Sequence, residues 1–201
     1  MRILILICTL LYTQLSMAQS GFDRVQWTTQ PRLHTIDARY ADASAVYVLD
    51  KRQQEYFIEK DGFFVYRTVH RIIHINNDKG IEAFNKVYLP YNEGLEMVDV
   101  KARTILPNGK VIEFDKKSIK EIKDEEGNTY KIFALDGLTK NCEVEYMYTL
   151  KKYPAFFGMD VFTLNIPTIQ AEWRLISPTH LQFEAKSFNQ LGDSKDSSSK
   201  E

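Results

Sequence analysis

The segment Leu106-Pro107-Asn108-Gly109-Lys110 constrains this chain more than any other. Pro107 presets φ for the first turn position, Asn108 tolerates the second, and Gly109 supplies a positive φ without steric cost. Together they predict a type I turn closed by a glycine bulge, joining two antiparallel strands. The flanks test the register. Setting Leu106 against Lys110 brings Thr104 opposite Ile112 and Ala102 opposite Phe114. Val98, Val100, Ala102 and Leu106 then share one face with Ile112 and Phe114. The other face sets Arg103 against Glu113 and Lys101 against Asp115, so opposite charges meet across the strands. A two-residue Asn108-Gly109 loop opposes Arg103 to Phe114 and mixes the faces. The bulged hairpin is therefore expected, and it carries geometry without chemistry.

The same punctuation runs through the chain. Gly80, Gly94, Gly109, Gly127 and Gly137 separate runs that each read as strand: residues 83–91, 97–106, 110–114, 129–135 and 142–151. Upstream, residues 45–50 and 55–60 are β-rich, Asp61-Gly62 signals a hairpin, and residues 63–75 form the longest β-branched and aromatic run. Either a two-residue or a three-residue loop suits that hairpin, because both registers bring aromatic and aliphatic residues together. Residues 142–150 alternate, with Cys142, Val144, Tyr146, Tyr148 and Leu150 facing one way and Glu143, Glu145 and Thr149 the other. Residues 118–126 suit an edge strand or a helical turn. Residues 161–166, 172–176 and 181–185 read as edge or linking strands, set apart by Pro167 and Pro178. Short strands at this spacing predict an all-β fold, an antiparallel β-sandwich with hairpin connections and little helix.

The N-terminus carries an address. Arg2, the apolar run 3–11 and Ser16-Met17-Ala18 form the three parts of a secretory signal peptide, with cleavage expected after Ala18. The apolar run is too short to span a bilayer, and no later segment resembles a span. The expected organisation is a signal peptide over 1–18, a lead-in over 19–39, a β-sandwich domain over 40–188 and a polar, disordered tail over 189–201. Trp27, Leu33 and Ile36 of the lead-in are placed to dock on the domain, and Pro31 argues against a long helix there. The expected location is periplasmic or extracellular. A formal net charge of -1 offers no electrostatic reason for nucleic acid or anionic membrane as a partner. Of 2 cysteines, Cys8 leaves with the signal, so a disulfide scaffold is excluded and stability must come from a core.

Several segments together resemble a family. These are residues 40–50, Asp99 to Lys110 with its Ala-Arg-Thr and Leu-Pro-Asn-Gly-Lys elements, residues 141–148, and Ile166-Pro167 with Pro178. The pattern is similar to the domain-of-unknown-function 3857 family over roughly residues 40–188. That resemblance implies a β-rich domain standing N-terminal to a transglutaminase-like domain in exported bacterial proteins. No residue here matches such a catalytic neighbour, so its activity is not carried over.

Candidate chemistry is sparse. Cys142 opens a strict period-two run with no helix behind it, which suits a small apolar strand residue better than a thiolate nucleophile. His70 and His74 lie about 13 Å apart on a strand, too far to share one zinc. Neither His34 nor His180 sits in a ligand cluster of the sequence. Asp124 to Asn128 is acidic and turn-like but lacks a calcium loop's alternating oxygens, and reads as a solvated tip. Glu143 and Glu145 read as a solvated strand face. Tyr88, Tyr91, Tyr146 and Tyr148 read chiefly as core, whereas Tyr153, Phe156 and Phe157 form an apolar loop that must pack on something. No cofactor, metal or catalytic constellation is expected. The expected function is a non-catalytic accessory module for a transglutaminase- or peptidase-like domain or another envelope protein. The alternative is a carbohydrate- or peptide-binding sandwich that uses exposed tyrosines.

Overall fold

The computed structural model describes residues 21–91, 94–127, 129–162, 165–188, 192 and 195–197. The expected signal peptide lies outside these residues, as does most of the expected tail.

β1 (Ala45–Glu59) and β2 (Gly62–Ile75) form one long antiparallel hairpin. Glu59 pairs with Gly62, so the connection is the two-residue loop Lys60-Asp61. β1 runs unbroken through Lys51 to Gln54, where the sequence suggested two separate strands. The next element corrects a strand expected over 83–91: α1 (Asp78–Phe84) precedes a short β3 (Lys86–Leu89). The Asn77 side chain accepts from the backbone N–H groups of Lys79 and Gly80, and this cap starts the helix. Gly80 is buried inside that helix because a Cβ there would lie 2.2 Å from the Ser44 carbonyl oxygen. It serves a close backbone approach and not a turn.

β4 (Leu95–Ile105) and β5 (Val111–Glu113) form the expected bulged hairpin. Arg103 pairs with Glu113 and Thr104 with Ile112, the Leu106 N–H donates to the Lys110 carbonyl at 2.8 Å, and Gly109 has φ 82°. Nothing lies within 4 Å of a Cβ built at Gly109, so only backbone strain opposes a larger residue. Gly109→Val is accordingly expected to cost about 1–3 kcal/mol in denaturant unfolding, and an unchanged midpoint contradicts the turn. Two details differ from expectation. A bulge between Met97 and Asp99 turns Met97, and not Val98, onto the core. Asp115 accepts from the Lys117 N–H and caps a short 3-10 turn, while Lys101 approaches Asp99 at 3.5 Å.

β6 (Lys120–Lys123), β7 (Thr129–Ala134), β8 (Glu143–Lys152) and β9 (Thr168–Ile176) complete the chain. The 3-10 turn and β6 divide the segment that suited either a strand or a helical turn. Residues 161–162, 165–166 and 181–185 are irregular, against the strands expected there. β9 lies between Pro167 and Pro178, as proline at both ends permits. It pairs with β1 in parallel, which departs from the antiparallel expectation and requires a crossover connection from β8.

The fold is all-β with two sheets. A six-stranded sheet runs β5-β4-β8-β2-β1-β9, and a three-stranded sheet runs β3-β7-β6. Ile73, Ala102 and Val144 of the large sheet share one buried cluster with Val87, Leu89 and Phe133 of the small one. Phe114, just after β5, contacts Phe133 with ring centroids 4.1 Å apart. The opposite face of the large sheet is built quite differently.

Candidate functional site

Strand alternation places Arg103 of β4, Glu143 and Glu145 of β8, and His70 and His74 of β2 on the face turned away from the small sheet. These side chains are not solvated. Glu143 is 0% exposed, Glu145 2% and Arg103 1%, which corrects the solvated face expected for the two glutamates. Arg103 donates from Nε to Glu145 at 2.7 Å, and His70 Nε2 meets the other oxygen of Glu145 at 2.8 Å. Glu113, the expected partner of Arg103 across the hairpin, is 3.9 Å away and plays the lesser part. Glu143 is shared by His74 at 3.4 Å and His34 at 2.9 Å. Burial pushes the Glu143 carboxyl upward, but hydrogen bonds from His74 and His34 outweigh it and hold the group below the usual carboxylate range.

What covers these groups is the lead-in. Residues 21–37 cross the sheet as an irregular strap, followed by a 3-10 turn at Ala38–Tyr40. Trp27 docks as expected, between the Arg103 guanidinium at 4.2 Å and the His70 ring at 5.8 Å. Phe22 stacks on Tyr66 at 4.1 Å. His34, which the sequence left outside any cluster, therefore reaches a buried carboxylate 109 positions away.

The other face of the large sheet bears a second cluster. Arg52 bonds Asp50 at 2.8 Å and Asp160 at 3.0 Å, and Arg67 also holds Asp160. Trp173 Nε1 donates to the same carboxylate at 3.0 Å. Burial raises the Asp160 carboxyl, but the bonds and charge of Arg67 and then Arg52 dominate and hold its pKa at about 2. Asp160 anchors an irregular segment whose apolar side chains point outward. Phe157 is 92% exposed, Met159 85% and Tyr153 71%. Phe156 lies 6.1 Å from Tyr56 and 6.3 Å from Phe63, centroid to centroid, and remains 57% exposed. Tyr153 leans on Phe64 and borders an open groove of about 240 Å³ lined by Leu95, Glu96, Lys151 and Lys152.

Cys142 is free and buried in the core cluster, and burial raises its thiol above the ordinary value. That is the opposite of what activates a nucleophile. Tyr146 is core and Tyr148 packs beside it, whereas Tyr88 is 60% exposed on β3 and Tyr91 39%. Among the described residues no group of three or more His, Cys, Asp or Glu side chains is placed to hold a metal ion, and no helix is long and apolar enough to cross a membrane.

No curated protein matches the chain in sequence. Its fold is similar to the crystal structure of a “putative protease from Parabacteroides distasonis ATCC 8503”, with a TM-score of 0.56 and 11% identity. That likeness, one of fold alone, covers 68% of this chain and 29% of the other, so this chain spans under a third of that protein's length. The model of DUF3857, a domain of unknown function with solved structure, matches residues 65–201. The match takes in the Leu106–Lys110 turn, β8 and β9. On that match, the chain belongs to the DUF3857 family.

Proposed function

We propose that this domain is an exported, non-catalytic interaction module that docks on a transglutaminase- or peptidase-like domain through the loop at residues 153–161. The exposure of Phe157, Met159 and Tyr153 carries this reading. An irregular segment that turns its apolar side chains to water and its carboxylate inward has the polarity of an interface and not of a free surface. The clamp of Asp160 by Arg52 and Arg67 holds it in that posture. The structural relative supports the reading, because there a fold of this kind occupies only 29% of a longer chain.

Phe157→Ser is expected to change the stability of the isolated domain by no more than about 0.5 kcal/mol, since an exposed ring has little to lose. Phe156→Ser costs about 1 kcal/mol more, because its ring leans on Tyr56 and Phe63. Calorimetry against a purified transglutaminase- or peptidase-like domain from the same organism then tests docking. At least tenfold weaker binding of Phe157→Ser is expected, and equal affinity of the two proteins overturns the proposal. The groove beside Tyr153 favours a second reading, a glycan- or peptide-binding module with Tyr153 as stacking platform. A glycan and peptide screen without response removes it.

A further inference from the structure

The strap over the polar face is held in an unusual way. None of residues 21–37 is buried, and none belongs to the hydrophobic core cluster. Among the described residues, no backbone–backbone hydrogen bond joins residues 21–36 to the sheet. Side chains of the sheet meet the strap's main chain instead. Glu55 accepts the Asp23 N–H at 2.6 Å, and Gln53 donates to the Asp23 carbonyl. Arg103 donates to the Thr28 carbonyl at 2.9 Å, and Glu143 accepts the His34 N–H at 2.8 Å. Donors and acceptors thus read both kinds of backbone group at three places along twelve residues, Asp23 to His34.

From this geometry we infer that the polar face of the large sheet is a peptide-binding site, and that residues 21–36 are the peptide it holds in cis. Side chains that address backbone N–H and C=O groups recognise an extended peptide whatever most of its side chains are. Besides Phe22 on Tyr66 and Asp23 on Arg174, two side-chain positions give selectivity. One is an aromatic residue, here Trp27, between Arg103 and His70. The other, seven residues on, is a donor to Glu143, here His34. The strap half-buries Phe22, Val25, Trp27, Leu33 and Ile36 and inserts none of them into the core. The face beneath carries Ile105 and Met147, but most of it is carboxylates, imidazoles, a guanidinium and other polar groups that water solvates well once uncovered. Uncovering that face therefore exposes mainly polar groups to solvent and leaves the core between the two sheets intact. The cis strap acts as a tethered competitor at high effective concentration, so a peptide from another chain binds only when the strap is released.

The test uses the otherwise complete chain with a specific protease site inserted between Ile36 and Asp37. After cutting, a fluorescein-labelled peptide of residues 21–36 is titrated in and anisotropy is read. The cut protein is expected to keep its β-sheet circular dichroism and to bind the peptide saturably. The uncut protein is expected to bind at least tenfold more weakly. Unlabelled peptides carrying Trp27→Ala or His34→Ala should compete at least tenfold less well than the natural peptide. Because those changes lie on the peptide, they leave the fold of the receptor untouched. Loss of the sheet signal on cutting makes the strap part of the fold and overturns the inference. So does absence of binding, or equal competition by all three peptides. Docking through Phe157 is read in a separate experiment and stands or falls independently.

Discussion

Replacing Arg103 by methionine is expected to destabilise the domain by about 3–5 kcal/mol, the scale of stranding one partner of a buried ion pair. Arg103 is 1% exposed and Glu145 2%, so neither has water to replace what the other supplies. The guanidinium also carries the Trp27 ring and the Thr28 carbonyl, so its loss loosens the strap. Methionine fills a similar volume and isolates the charge effect from a cavity. The double variant Arg103→Met/Glu145→Gln provides the check. Removing both charges while keeping an amide for His70 should recover at least half of the loss, since the Coulomb gain of a buried pair is largely offset by its desolvation. If urea unfolding shows the double variant as unstable as the single one, or the single variant within about 1 kcal/mol of the parent, the ion pair is not what holds this face together.

How much of this could be read beforehand depends on which side of each strand is considered. Arg103, Glu143 and Glu145 were placed on the correct faces by alternation, and the register of Arg103 against Glu113 was right. The error lay in equating a polar face with a wet one. Alternation reports which residues share a face, not what lies above them. The cover is a segment without helix or strand periodicity, whose backbone is recognised by distant side chains, and no local pattern encodes such a contact. One signal was available: His70, His74, Arg103, Glu143 and Glu145 are too many charged or titratable groups of matched parity for an idle surface. The helix was hidden because Asn76 to Gly80 also suits a turn, and the deciding contact of Gly80 with Ser44 is tertiary. The aromatic loop was legible for the opposite reason. Five consecutive residues with three aromatics and a proline, 153–157, have no strand period to bury them.

Phe133→Ala is expected to cost about 3–5 kcal/mol, the usual penalty for emptying the site of a buried aromatic ring. Phe133 is 1% exposed at the middle of the three-stranded sheet, and its ring meets Phe114 at 4.1 Å. The small sheet offers few alternatives. β3 and β6 have four residues each, and the four residues of β6 are all exposed. A sheet of that size is marginal alone and depends on its packing against the large one. The loss should therefore fall unevenly. Amide hydrogen exchange in Phe133→Ala is expected to speed up across β3, β6, β7 and β5 before it changes in β1 and β2, whose long hairpin has partners on both sides. Uniform acceleration from β1 through β9 would show a single cooperative unit and contradict this division. The division also separates the two proposals physically. The polar face under the strap is built on β1, β2, β4 and β8 and the Asp160 clamp on β1, β2 and β9, none of them in the small sheet, so opening that sheet should leave peptide binding to the cut protein within about threefold of the parent, a difference of roughly 0.6 kcal/mol.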